Sequence, residues 1–228
     1  MREAEIKLHP DVAAGLIWPE TDSEIAKVSD GIVTPCQTHT VNVGIVESPD
    51  QTFPDTDALI TQLPGVKIGV RTADCVPIVL YAPDIKAVAA IHAGWKGTLY
   101  GIVANTLQRL FEMGADARKI RAAFGPYICG DCYEVSPELA KEFQRQGFYS
   151  AIRCGETTDP LTGKAMDPER PHIDLGYCNL VRLRRGLVPD DNIIGPAGCT
   201  RHSGEFPSWR RENGTDKRMI TWISLPPT

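Results

Sequence analysis

A chain of 228 residues, 42% hydrophobic and 23% charged, has enough apolar side chain for a sizeable core and is short enough that one domain, residues 1–228, is the expectation. Its formal charge of −5 offers no cationic footprint for nucleic acid or an anionic membrane, which points to small-molecule partners. No apolar run approaches a membrane span, the first five residues lack the apolar core of a signal peptide, and the seven cysteines have no disulfide-framework spacing, so a reducing, cytoplasmic location is expected.

The first segment with chemical content is Cys36-Gln37-Thr38-His39-Thr40, between the turn-like Thr34-Pro35 and a strand-like run over 41–46. Residues 49–57 read as a polar, turn-rich loop, and its Asp55 and Asp57 as solvated carboxylates rather than ligands. A strand over 66–70 leads into Asp74-Cys75. Residues 76–81 and 87–91 are nearly continuous apolar runs separated by Ala82-Pro83-Asp84, which predicts two adjacent buried strands. In an antiparallel hairpin the start of the first lies beside the end of the second, so Cys75 and His92 are expected to meet. Ile102, Val103, Leu107, Leu110 and Phe111 recur at helical spacing and predict one helix from Gly97-Thr98 to a stop at Gly114. Its free N–H groups begin close to His92 and suit an anion such as phosphate.

Gly94-Trp95-Lys96-Gly97-Thr98 resembles a phosphate-binding loop only superficially, because its lysine does not follow the glycine and adjoin the threonine. Cys129-Gly130-Asp131-Cys132 has the spacing of a redox pair or half a zinc knuckle, but no second pair at knuckle spacing accompanies it, so no metal is assigned there. Ser136-Pro137-Glu138 caps a helix expected to end near Gly147, residues 154–170 read as an exposed loop, and Asp174 caps a helix running to Gly186. His172 reads as a satisfied loop histidine, and His202 is left off the metal. Arg210 and Arg211 are either a fork of donors for a phosphate or ribose oxygen, or two solvated side chains. A strand over 219–225 closes the chain. Strands and helices without regular alternation indicate an α+β fold.

Two imidazoles and a thiolate, from His39, Cys75 and His92, suit zinc and leave a fourth position open for water or substrate. The same residues also permit a metal-free dyad with Cys75 as nucleophile and His92 as base. A free cysteine at position 75 can equally be a small buried hydrophobe. Asp74, next to it, is placed to orient a ligand or handle a proton.

Gln37-Thr38-His39, Thr72-Ala73-Asp74-Cys75-Val76-Pro77 and His92-Ala93-Gly94-Trp95-Lys96-Gly97 resemble the three signature segments of the bacterial YfiH family, also called the laccase-domain or multicopper polyphenol oxidase family. Gly125-Pro126 with Cys132-Tyr133-Glu134-Val135, Asp174-Leu175 with Asn179, and Cys199-Thr200 followed by Phe206, Ser208, Arg210 and Arg211 extend the resemblance to the end of the chain. Residues 1–30 depart from it, lacking the early arginine and paired glycines of relatives, and Pro207 and Trp209 replace the usual aromatic residues. The resemblance implies a single α+β domain with mixed sheets flanked by helices, and a zinc ion on His39, Cys75 and His92. It implies phosphorolysis of adenosine, inosine, guanosine and methylthioadenosine, and deamination of adenosine. Asp74, Cys75 and Arg211 would be catalytic, Arg211 holding phosphate, and Cys132 would line the pocket. A link to editing of peptidoglycan precursors is a further implication. The copper-oxidase name conflicts with the ligand count: copper oxidases use about ten histidines, largely in His-x-His pairs. This chain has five histidines and no such pair.

Overall fold

The computed structural model describes every residue except 155–157, 159–162, 164–166, 168 and 197 and the side chains of 25 and 26. The antiparallel pair β1 (Arg2–Glu5) and β2 (Ala13–Trp18) is followed by β3 (Val43–Val46), β4 (Ala58–Thr61), β5 (Lys67–Thr72), β6 (Val76–Ala82) and β7 (Ala87–Ala93). Helices α1 (Trp95–Tyr100) and α2 (Ile102–Glu112) lead to β8 (Arg121–Phe124), α3 (Pro137–Arg145), β9 (Ile152–Arg153) and β10 (His172–Ile173). Then come α4 (Leu175–Arg185), β11 (Ile193–Ile194), α5 (Thr200–Ser203) and β12 (Met219–Ser224).

Six strands form one sheet in the order β11-β8-β6-β7-β4-β3, and four form a second in the order β1-β2-β12-β5. The larger sheet is mixed, with β3 parallel to β4 and β11 parallel to β8, which agrees with the α+β expectation. Strands β6 and β7 explain their own composition. Ile78, Leu80, Ala89 and Ile91 pack against Leu99, Ile102, Val103 and Leu107 of the helical layer. Val79, Tyr81, Val88 and Ala90 point the other way, against Ile68, Val70 and Ile223 of the smaller sheet. A strand covered on both faces needs apolar residues at consecutive positions, so the runs are continuous rather than alternating. Each buried leucine or isoleucine there contributes about 2 kcal/mol of burial free energy.

The expected single helix over 97–114 is two helices. Gly101 adopts φ 97°, its N–H closing α1 on Gly97 O, and the same residue precedes α2. Only glycine takes that left-handed conformation at little cost, so the break is written at Gly101. The helix starts expected at Ser136 and Asp174 are present: Ser136 Oγ accepts from Leu139 N at 3.2 Å and Asp174 Oδ1 from Tyr177 N at 2.9 Å. The loop expected over 154–170 falls largely outside the described residues. No helix among the described residues is long and apolar enough to cross a membrane.

Candidate metal centre and its cavity

The β6–β7 register sets Val76 opposite Ala93 and Pro77 opposite His92, so Cys75, one residue before β6, sits beside the end of β7. His39 arrives from the segment before β3. Cys75 Sγ lies 4.0 Å from His39 Nε2, and the His39 and His92 rings meet edge to face with centroids 4.9 Å apart. The three ligand atoms are within 4.8 Å of one another. Ligands of a tetrahedral zinc, with Zn–S about 2.3 Å and Zn–N about 2.0 Å, stand roughly 3.5 Å apart, so a small closing movement would complete the set. The donors fit a borderline-soft ion, and three of them leave a coordination position open.

What aims these ligands is Asp57. It immediately precedes β4, is fully buried, and its Oδ1 lies 2.6 Å from His92 Nδ1. With Nδ1 engaged, Nε2 is the ring nitrogen left for a metal, the arrangement in which a carboxylate orients a ligating histidine. The same carboxylate accepts from the backbone N–H groups of Thr38 (3.3 Å), His39 (3.1 Å) and Thr40 (2.7 Å) and from Thr40 Oγ1 (2.8 Å). Those bonds hold His39 at φ 63°, a left-handed conformation that a histidine does not adopt without support. Burial pushes the Asp57 carboxyl up, and the hydrogen bonds from His92 and Thr40 more than reverse this, leaving it below its ordinary value. The reading of Asp57 as a solvated loop carboxylate is therefore wrong. The available signal was its position, an acid directly before the apolar run Ala58-Leu59-Ile60. The Asp55 carboxylate, by contrast, accepts from Thr38 Oγ1 at the surface, at 3.2 Å.

Asp74 is also buried and also strained, with φ 89°. Its Oδ1 accepts from Thr200 Oγ1 at 2.6 Å and its Oδ2 from Arg210 N at 2.7 Å, tying the residue beside Cys75 to the C-terminal segment. Gly94 lets the ligands approach: a Cβ there would stand 2.7 Å from His39 Cδ2 and 3.2 Å from Cys75 Sγ. The electrostatics follow from the crowding. Burial pushes the Cys75 thiol up, but the imidazoles of His92 and His39 outweigh it and bring it down to about 6. Burial pushes His92 down, but the Cys75 thiolate and the Asp57 carboxylate raise it to about 9.

The cluster opens into a cavity of about 660 Å³ walled by Trp95, Tyr133, Trp209, Arg210 and Arg218. Among the described residues none before Cys36 lines it, and the divergent N-terminal segment contributes strands β1 and β2. The Arg210 guanidinium lies 5.4 Å from the Tyr133 ring centroid and donates to Glu134 O at 3.1 Å; that of Arg218 lies 5.7 Å from the Trp209 centroid. Burial and the Cys75 thiolate push the Tyr133 hydroxyl up to about 12, so it stays a neutral donor. Arg211 faces elsewhere. Its Nη1 donates to Thr200 O and its Nη2 to Phe206 O at 2.6 Å, and it lines a separate surface cavity with Arg2 and Glu205. Cys132 is likewise buried away from this cavity, and Tyr133 takes the lining position.

A family model described as multi-copper polyphenol oxidoreductase laccase matches residues 21–226. The chain belongs to this family. Among its relatives, "Adenosine deaminase RL5" from an unknown prokaryotic organism is 37% identical over 205 residues, covering 85% of this chain and 75% of that protein. A "Purine nucleoside phosphorylase" from Aquifex aeolicus is 39% identical over 195 residues, 85% of this chain and 82% of its own. One from Deinococcus radiodurans is 36% identical over 190 residues, 83% and 68% respectively. The fold matches the crystal structure of Bacillus licheniformis YfiH with a TM-score of 0.80, 24% identity and coverage of 97% of this chain and 98% of that one. The laccase-domain name is thus carried by a chain whose His39–Cys75–His92 cluster has two imidazoles and one thiolate.

Proposed function

We propose that this laccase-domain protein is a zinc-dependent purine nucleoside phosphorylase, acting on adenosine, inosine, guanosine and methylthioadenosine, that also deaminates adenosine. The observation that carries the reading is one cavity in which an open two-histidine, one-cysteine cluster shares the lining with three aromatic rings and the three arginines Arg71, Arg210 and Arg218. Relatives named for both activities support it. Zinc held by His39, Cys75 and His92 would supply a Lewis acid near which water ionises close to neutral pH. The chain's own residues do the rest. Trp95, Tyr133 and Trp209 offer flat apolar surfaces to a purine. Asp57 keeps His92 in the tautomer and orientation required of a ligand, and Asp74 fixes the backbone from which Cys75 projects. In deamination, water adds at C6 of the base and ammonia leaves, giving inosine. In phosphorolysis, phosphate replaces the base at the ribose C1′, giving ribose 1-phosphate and free base. Arg210 and Arg218, rather than Arg211, are the cations positioned to hold that phosphate.

Assaying adenosine with rising phosphate tests the reading. One shared open position requires hydroxide and phosphate to compete, so product shifts from inosine towards adenine plus ribose 1-phosphate; a ratio independent of phosphate overturns the shared site, and the absence of both products overturns the substrate class. The thiol at about 6 beside an imidazole at about 9 supports a second reading, a metal-free hydrolase or deamidase with Cys75 as nucleophile. Rapid stoichiometric alkylation of Cys75 in zinc-replete protein favours that reading. Protection until a chelator is added favours zinc.

A further inference from the structure

A second cysteine–histidine cluster lies outside the cavity. Cys129 and Cys132 come from the turn after β8, Cys199 caps α5 and His202 lies within it. The partner missing from the half-knuckle at 129–132 is a Cys-x2-His pair, Cys199-Thr200-Arg201-His202, supplied 70 residues away in the chain.

From this arrangement we infer a second, structural metal site, in which Cys129, Cys132, Cys199 and His202 bind one zinc ion in a closed four-ligand shell. The four ligand atoms lie within 4.8 Å of one another. Cys132 Sγ is 2.8 Å from His202 Nε2, so the two would separate slightly to reach the roughly 3.5 Å ligand spacing around tetrahedral zinc, and Cys129 Sγ approaches the other ring nitrogen, Nδ1, at 3.9 Å. Each pair rides on a tight local turn that puts residues three apart on one side: Cys132 N donates to Cys129 O at 3.0 Å, and Ser203 N to Cys199 O at 3.1 Å. Cys129 N also donates to Cys199 Sγ at 3.3 Å and Arg201 Nη1 to Cys132 Sγ at 3.4 Å, the kind of donors that stabilise charged sulfur around a metal. A disulfide would use two sulfurs and leave the third sulfur and the imidazole without a role. Three thiolates and an imidazole are a complete zinc set with no open position, hence structural rather than catalytic.

The site would act on the neighbouring cavity by position. Cys132 precedes Tyr133, which lines the cavity, and Cys199 precedes Thr200, whose hydroxyl holds Asp74. Pinning the two turns together pins both contacts.

The test is metal content of the untagged chain made with zinc supplementation, compared with Cys75→Ala and His202→Ala. The expected counts are about two zinc per chain in the natural sequence and about one in each variant. Cobalt bound to Cys75→Ala should show the intense sulfur-to-metal absorption of three thiolates, and its removal by a strong chelator should lower the melting temperature by roughly 10 °C. If His202→Ala fails to fold, the other counts decide alone. One zinc in the natural sequence and none in Cys75→Ala overturns the inference, as does loss of two free thiols to a disulfide in freshly purified protein. One zinc in both would uphold this site and remove the first instead.

Discussion

The two cysteine–histidine clusters use the same ligand types under opposite constraints. At 39, 75 and 92 three ligands come from separate segments, two of the residues involved, His39 and Asp74, have left-handed backbones, and a buried carboxylate is required to hold the set in place. At 129, 132, 199 and 202 four ligands come from two short turns, and none of the four has a positive φ. The first cluster opens into an aromatic cavity; the second is half-buried, with Arg201 donating to its Cys132 sulfur. The difference teaches that a reactive site is recognisable by what it lacks, a fourth ligand, and by the strain and buried charge needed to keep that position open. A cluster that satisfies itself needs neither.

The sharpest break of this comparison is Cys75→Ala against Cys132→Ser. Losing the first should abolish deamination and phosphorolysis by at least roughly a thousandfold, because the Lewis acid goes with the ligand. Losing the second should chiefly lower the melting temperature, with activity measured well below it retained. Equal activity losses at low temperature would erase the distinction. Asp57→Asn comes next: removing the carboxylate behind His92 should weaken zinc binding by about 10- to 100-fold, with activity partly restored by excess zinc. Titration against a chelator of known affinity reads the change.

Gly94→Ala probes the crowding from the other side. Its Cβ, 2.7 Å from His39 Cδ2, should displace that ring and weaken zinc binding without altering the second cluster, so metal content falls by one and not two. Arg210→Ala and Arg218→Ala should each raise the KM for phosphate by about tenfold while changing deamination less, since only phosphate needs the extra cation. Arg211→Ala, which removes the grip on the carbonyls of Thr200 and Phe206, should lower stability and leave the KM for phosphate nearly unchanged. The smallest effect is in pH. In chelated protein the Cys75 thiol sits at about 6 instead of its ordinary 9.0, so its thiolate fraction rises as pH is raised through about 6 and then levels off. Alkylation rate should follow the same curve. A rate still climbing above pH 8 would mean that His92 and His39 do not stabilise the thiolate.

Much of this was readable from residues in sequence. The two apolar runs around Ala82-Pro83-Asp84 specify a buried hairpin, and pairing its ends brings Cys75 to His92 because antiparallel strands place the start of one beside the end of the other. The helix starts at Ser136 and Asp174 depend on contacts within four residues, which composition and spacing report directly, whereas the break at Gly101 interrupts a run whose apolar spacing reads as one helix. Tertiary structure alone decided the rest. Asp57 meets His92 across 35 residues, Asp74 meets Thr200 across 126, and Cys129 meets Cys199 across 70. Neither periodicity nor local turn chemistry carries information over such separations. Arg210 and Arg211 are adjacent in the chain and indistinguishable by type, yet one guanidinium faces the cavity and the other grips backbone carbonyls outside it. That choice is made by the direction in which the loop before β12 turns each side chain, a property of the packed chain and not of its residue order.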